Sequence, residues 1–231
     1  MKKVLVTGAS KGIGLAIAEA FADAGYNVYA NYRRTTSNLK RLRDKGITTI
    51  HADVCNSDDV DKMFDEIDCL DVLVNNVGIA QSKPFTDITL NDWNAMVGGT
   101  MTTMFTCTKA AVFDMISRKS GCIINISSVW GEVGGACEVH YSTAKAGVLG
   151  FTYALAKELG PSGIRVNAIS PGVIATDMLA DLTIQDLDSL CQETPLQSIG
   201  TPEYVAVAAL YLARNEFVTG ENLHVDGGFR L

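Results

Sequence analysis

The sequence has 231 residues, 47% of them hydrophobic and 19% charged, with a formal net charge of -7. That length and apolar content can fill one sizeable core, so a single domain over 1–231 is expected, and the acidic balance argues against a nucleic-acid partner. No apolar run approaches the roughly 20 residues of a membrane span, no cleavage-type leader precedes the first strand pattern, and six cysteines without a Cys-x-x-Cys pairing fit reduced thiols; a soluble, cytoplasmic protein with no membrane partner is expected.

Lys3 to Thr7 reads as a strand, followed by a glycine-rich turn and a helix from about Ile13 to Ala24 closed by Gly25. A second strand, Asn27 to Tyr32, leads through Arg33-Arg34 to a helix ending near Gly46, and a third strand covers Thr48 to Ala52. A helix starts near Ser57 behind an N-cap-like Asn56, and Val72-Leu73-Val74 forms a buried strand. One long helix spans about Asn91 to Ser117, weakened by Gly98-Gly99 in its interior. Strand five is Cys122 to Ile126, a glycine-rich loop covers Gly131 to Gly135, and a helix holds Tyr141 and runs to about Leu159. Strand six, Arg165 to Ile169, is broken by Pro171-Gly172; a lid-like segment spans Thr176 to Gly200, a last helix begins at Pro202, and Leu223 to Val225 is a short final strand. Strict alternation predicts an α/β fold: one doubly wound Rossmann-type domain with a seven-stranded parallel sheet between helical layers, binding ligands at the carboxyl ends of its strands.

Two stretches carry chemistry. In Gly8-Ala9-Ser10-Lys11-Gly12-Ile13-Gly14, three glycines stand where a strand turns into a helix, so backbone can approach a pyrophosphate on the helix N-terminus; an ordinary glycine turn is the plainer reading. In Tyr141-Ser142-Thr143-Ala144-Lys145, a phenol and an ammonium four residues apart share a helix face. A cation about 5 Å from a phenol contributes roughly 3 kcal/mol at an effective dielectric of about 20, which predicts a Tyr pKa lowered by roughly two units. Tyr153 and Lys157 repeat the spacing. Twelve helical steps turn Tyr153 about 120° away from Tyr141, so only one pair can serve a given site. His51, His140 and His224 lack any spacing that would build a metal site, and no metal is expected.

The Gly-x-x-x-Gly-x-Gly spacing resembles the short-chain dehydrogenase/reductase family. The resemblance extends through Asp53-Val54, Asn75-Asn76-Val77-Gly78, Ser128, Tyr141-x-x-x-Lys145, Pro171-Gly172-Val173-Ile174 with Thr176, and Asp226-Gly227-Gly228-Phe229. Ala156 to Asn167 is most similar to its 3-oxoacyl-[acyl-carrier-protein] reductase branch. It implies that Tyr141 protonates a carbonyl oxygen, Ser128 hydrogen-bonds that oxygen, and Lys145 lowers the Tyr pKa while holding the nicotinamide ribose. Gly8, Ser10, Lys11, Gly12, Ile13 and Gly14 are then cofactor-binding, as are Asp53 with Val54 at the adenine, Asn75 with Val77 and Gly78 near the adenosine, and Pro171, Gly172, Val173, Ile174 and Thr176. Members specific for NAD carry an acidic residue at the end of the second strand, whereas this chain reads Asn31-Tyr32-Arg33-Arg34, and with Lys11 these cations suit the 2′-phosphate of NADP.

Two positions depart from the family pattern. Thr100 stands where the family supplies an asparagine that holds a water beside the lysine; a kink at Gly98-Gly99 is expected to leave the carbonyl of residue 100 to hold it instead. Val77 stands where Ala is common, which implies a slightly re-spaced pocket wall. The resemblance implies an NADPH-dependent carbonyl reductase of 3-oxoacyl thioesters on acyl carrier protein or coenzyme A. Its carrier-docking cations match Lys119 and Ser162, with Arg118 and Arg165 as possible compensators. It also implies a homotetramer built from the helices 91–117 and 141–159. Reduction of a free small ketone or alcohol, such as a hydroxysteroid or sugar, and a non-catalytic NADP(H) sensor stay open, and Trp130 is a candidate substrate contact.

Overall fold

The computed structural model describes residues 1–180 and 183–231. Seven strands, β1 (Lys3–Val6), β2 (Asn27–Tyr32), β3 (Thr48–His51), β4 (Val72–Asn75), β5 (Gly121–Ile126), β6 (Ile164–Pro171) and β7 (Asn222–Val225), form one sheet in the order β3-β2-β1-β4-β5-β6-β7. Every pairing is parallel. Strand order reverses between β1 and β4, so the crevice for a ligand opens where Thr7-Gly8 and Asn76 to Gly78 leave the sheet.

Between the strands run α1 (Gly12–Asp23), α2 (Asn38–Asp44), α3 (Ser57–Asp65), α4 (Leu90–Val97), α5 (Thr103–Arg118), α6 (Trp130–Val133), α7 (Val139–Leu159), α8 (Ile184–Glu193) and α9 (Pro202–Arg214). The period-2 alternation of the strands divides the core between two layers. Val4, Val6, Val74 and Ile124 pack with Ile17 and Phe21 of α1 and Val205 and Leu212 of α9. Leu5, Leu73, Ile123 and Val166 face the other way, onto Val60 and Met63 of α3, Met115 of α5 and Leu159 of α7. Asn56 caps α3 as its sequence predicts, its Oδ1 accepting from the N–H groups of Asp58 at 2.9 Å and Asp59 at 3.3 Å.

Two local expectations are revised, and a third lies partly outside the described residues. The helix expected over 91–117 is α4 and α5 joined by a π-helical turn, Gly98–Thr102. Glycine weakens the ladder there, and the Thr103 hydroxyl donates to the carbonyls of Gly99 (3.3 Å) and Thr100 (3.0 Å), which stabilises the wider turn. Strand β6 runs on to Pro171, because the final residue of a strand can lack an N–H without losing the ladder. The lid expected over 176–200 contains Asp181 and Leu182, which lie outside the described residues; its described part holds a 3-10 turn, Asp177–Leu179, and α8, which begins with a Thr183/Asp186 capping box.

A polar strut crosses the apolar interior. Asn75 of β4 donates through Nδ2 to Thr108 of α5 and to Asn125 of β5, both at 2.9 Å. Asn125 donates onward to Thr152 of α7 at 2.9 Å, and Thr152 donates to the Val148 carbonyl at 2.8 Å. Cutting the strut at its centre orphans partners on both sides, and Asn125→Ala is expected to lower the unfolding free energy by roughly 2 to 3 kcal/mol in urea titration; an unchanged midpoint would show the strut contributes nothing.

Candidate active site

The turn after β1 is held from outside. Gly8 and Gly12 adopt φ of +63° and +56°, conformations that favour glycine. Asn31 accepts from the Gly8 N–H at 3.2 Å and donates to the Ala52 carbonyl at 3.0 Å, while Asn76 Nδ2 donates to the carbonyls of Thr7 (3.0 Å) and Gly8 (3.2 Å). Thr36 and Asn38 both donate to the Ser10 carbonyl. A Cβ at Gly14 would lie 2.5 Å from both Asn76 Nδ2 and the Gly8 carbonyl oxygen, so no side chain fits. Val77, larger than the family's usual residue, brings Cγ2 to 3.0 Å from where a Gly8 Cβ would stand. The start of α1 receives no side-chain cap, leaving its first N–H groups to an anion. The donor set and shape fit a dinucleotide pyrophosphate.

Around this turn the predicted residues gather. Thr176 lies against Gly12, its Cγ2 3.4 Å from a Cβ placed there. Gly172 passes Asp226 so closely that a Cβ would approach its Cα to 2.8 Å, and Val173 and Ala175 bond the backbone of Gly200 on either side of Ile174. Of the three basic groups, Lys11 pairs with Asp177 at 3.0 Å and Arg33 with Asp53 at 3.5 Å, whereas Arg34 makes no ion pair among the described residues. The Cys55 N–H and the Arg33 guanidinium hold the Asp53 carboxyl below its usual range, against the opposing effect of partial burial. Val54 is buried and its carbonyl accepts from Thr106, while Asn75 spends its amide donors on Thr108 of α5 and Asn125 of β5, leaving Oδ1 without a partner among the described residues.

Ser128, Tyr141 and Lys145 converge at the carboxyl end of β5. Ser128 Oγ accepts from the Trp130 N–H at 3.2 Å and stands close enough to the Tyr141 phenol to draw its pKa down. Lys145 Nζ lies 5.8 Å from the Tyr141 ring centre and donates to the Ile126 carbonyl at 2.9 Å. Two glycines make room for it: a Cβ at Gly78 would stand 3.2 Å from Nζ, and one at Gly131 would stand 2.8 Å from the Lys145 carbonyl carbon. Thr100, 2% exposed, sits across Gly78 from this ammonium. Its carbonyl accepts from Thr103 at 3.0 Å, and its hydroxyl has no partner among the described residues.

The electrostatics correct the expected phenol. Burial pushes the Tyr141 pKa up, the Ser128 hydrogen bond pulls it back, and the Glu138 charge raises it further. Lys145 does not reverse this, because its ammonium is itself stripped of water and drops to about 8.

Other expectations sort by place. Tyr153 is 42% exposed and feels Glu132 and Glu221, away from Tyr141. His51 bonds the Arg33 carbonyl, His140 bonds Gln81, and His224 bonds Glu132. Trp130 stacks edge-on against Phe229 at 5.0 Å. Lys119 and Ser162 precede β5 and β6, a strand length of about 20 Å from Ser128, so within one chain they do not rim the pocket. Arg118 is tied to Asp114, Asp71 and the Leu70 carbonyl, and Arg165 to the carbonyls of Leu212, Ala213 and Val218, so neither compensates as a free cation. Asn31, Thr36, Asn38 and Asn76 are site-shaping residues that the sequence did not single out; Asn76, inside the Asn-Asn-Val-Gly stretch, was the one with a visible signal.

A family model described as "Enoyl-(Acyl carrier protein) reductase" matches residues 8–230. A 3-oxoacyl-[acyl-carrier-protein] reductase of Synechocystis is 41% identical, over 97% of this chain and 95% of that protein. The crystal structure of a 3-oxoacyl-[acyl-carrier protein] reductase from Brucella melitensis superposes with a TM-score of 0.94 at 33% identity, covering 100% of this chain and 91% of that one. ElxO with NADP bound superposes with a TM-score of 0.92 at 33% identity, covering 99% and 98%.

The folded state carries fewer protons than the unfolded chain while Lys145 titrates between pH 8 and 10.5, so stability rises with pH across that window. Lys145→Met removes this slope. Measured by urea unfolding, its stability relative to wild type is expected to fall by roughly 3 kcal/mol from the bottom to the top of the window; a pH-independent difference would contradict a buried ammonium.

Proposed function

This chain belongs to the short-chain dehydrogenase/reductase family, and on that premise we propose that Ser128, Tyr141 and Lys145 carry its reaction with NADPH as the preferred reductant. The protein is an oxidoreductase that uses a nicotinamide cofactor and reduces 3-oxoacyl thioesters to 3-hydroxyacyl thioesters. The observation that carries the residue assignment is the convergence of the Ser128 hydroxyl and the Tyr141 phenol, two donors suited to one carbonyl oxygen.

The cofactor, when bound, supplies hydride to the carbonyl carbon. Tyr141 gives its proton to the oxygen as negative charge develops there, and Ser128 stabilises the same oxygen by hydrogen bonding. Burial that raises the phenol keeps it protonated at neutral pH, which suits an acid in reduction. Lys145 holds the nicotinamide ribose and, titrating near 8, returns a proton to Tyr141. The unpartnered Thr100 hydroxyl, on the same residue as the carbonyl expected for the role, holds the water that feeds this lysine. Asn76 and Asn31 keep the glycine turn open to the pyrophosphate.

Arg34, Arg33 and Lys11 support the choice of NADPH, since a 2′-phosphate is an anion with several oxygens for ion-paired hydrogen bonds whereas a 2′-hydroxyl offers one neutral oxygen. Arg33 must share itself with Asp53, which makes Arg34 the stronger determinant. One domain carries all of this, and a homotetramer fits the exposed Phe105, Phe113 and Ile116 on α5 and the separate exposed Tyr204, Val207 and Tyr211 on α9.

With an acetoacetyl thioester, kcat/KM for NADPH is expected to exceed that for NADH at least tenfold, and Tyr141→Phe to lose at least a hundredfold in kcat while still binding NADPH. Equal use of both cofactors would sink the cofactor assignment, and a fully active Tyr141→Phe would sink the acid. In the same assay Thr100→Val is expected to lower kcat about tenfold and Thr100→Ser to keep it; equal rates in both variants would remove the hydroxyl from the relay.

A further inference from the structure

The N-terminal end of α7 carries a second ionisable side chain that the reaction outlined above does not use. Glu138 is the residue preceding α7 and stands three positions before Tyr141, on the same side of the helix. Its carbonyl accepts from the Ser142 N–H at 2.7 Å, which fixes its backbone to the first turn. Gly135 lets the side chain fold inward: a Cβ there would lie 3.1 Å from Glu138 Cβ and 3.2 Å from Cγ. One carboxylate oxygen is out of reach of solvent and has no hydrogen-bond partner among the described residues. The Ser82 hydroxyl stands close enough to this carboxyl to draw its pKa down. Ser82 belongs to a strap clasped to this end of α7, where the Lys83 N–H donates to the Cys137 carbonyl at 2.7 Å and Gln81 bonds His140 at 3.1 Å.

No cation neutralises this carboxylate among the described residues. Lys83 is paired with Asp92 at the N-terminal end of α4, at 2.8 Å, and Lys145 points to the Ile126 carbonyl. Glu132 of α6 is engaged with His224, Arg165 of β6 with backbone carbonyls, and the π-turn offers only the uncharged Thr100. Glu138 is therefore a carboxylate without a neutralising cation among the described residues, one helical turn before Tyr141, whose ring lies 5.8 Å from the Lys145 ammonium.

We propose that Glu138 is a positioning residue that holds the proton on Tyr141 through its uncompensated charge, biasing the site toward reduction. The inference rests on the reading of Tyr141 as the proton donor. A negative charge beside a phenol in a water-poor setting makes the phenolate costly, so the acid stays loaded to higher pH. The direction agrees with the upward push that Glu138 exerts on the Tyr141 phenol. Burial also raises the Glu138 carboxyl, with the Ser82 hydrogen bond opposing it, so the charge is present once that carboxyl has ionised.

The test compares pH profiles of kcat/KM for NADPH-dependent reduction of an acetoacetyl thioester in wild type, Glu138→Gln and Glu138→Asp. Removing the charge is expected to move the alkaline limb, which reports the coupled Tyr141 and Lys145 pair, down by about one pH unit, and Glu138→Asp to leave it near wild type. A difference titration without cofactor, Glu138→Gln against Glu138→Gln/Tyr141→Phe, followed by tyrosinate absorbance, is expected to show the same downward shift relative to the wild-type and Tyr141→Phe pair. A limb that stays in place while kcat falls in every variant overturns the proposal and leaves Glu138 a packing residue. Loss of turnover in Tyr141→Phe with an unmoved Glu138→Gln limb overturns this inference alone; turnover retained in Tyr141→Phe overturns the donor reading beneath it.

Discussion

Burying the Lys145 ammonium is the constraint on which the rest of the site depends. A cation 5% exposed is tolerable only where its hydrogens find oxygens, and among the described residues the Ile126 carbonyl at 2.9 Å supplies the one acceptor in contact. That contact ties α7 to the end of β5 and brings Ser128 and Tyr141 to one place. It also demands the two glycines, Gly78 and Gly131, whose missing side chains are the space the lysine occupies. The remaining donors of the ammonium explain why an unpartnered Thr100 hydroxyl nearby is informative: water between them would satisfy both.

The same logic of polar groups held by backbone runs through the cofactor end. Asn31 and Asn76 are side chains doing what strand neighbours cannot do at the reversal point of the sheet, pinning a glycine turn from both sides. Asn75, Asn125 and Thr152 extend that frame through the core to the catalytic helix. The apolar layers could slide by small amounts without great loss; these directional contacts set the distance between the turn that holds the pyrophosphate and the residues that meet the carbonyl.

Much of this was legible in the sequence. The seven strands are short apolar runs separated by helical periods, and such runs have few alternatives to a parallel sheet. The glycine turn and Tyr141 with Lys145 carry their chemistry in local spacing. What escaped reading depends on partners distant in sequence. Asn76 acts on Thr7 and Gly8 across 69 and 68 positions, and Arg165 is consumed by carbonyls 47 to 53 positions away. The upward direction of the Tyr141 shift escapes the sequence for a related reason: a four-residue spacing yields a Coulomb attraction, whereas the desolvation that outweighs it is set by the folded surroundings. The glycine pair 98–99 did announce a break in the long helix, but which carbonyls it frees is decided by the Thr103 hydroxyl.

The central claim is direct hydride delivery from the nicotinamide to the 3-oxo carbon of an acyl thioester. Incubating the enzyme with an acetoacetyl thioester and NADPH deuterated at the transferred position of the nicotinamide, then analysing the product by mass spectrometry and NMR, tests it most directly. One deuterium on the carbon bearing the new hydroxyl is the predicted result. Cofactor oxidation with no label at that carbon would contradict it.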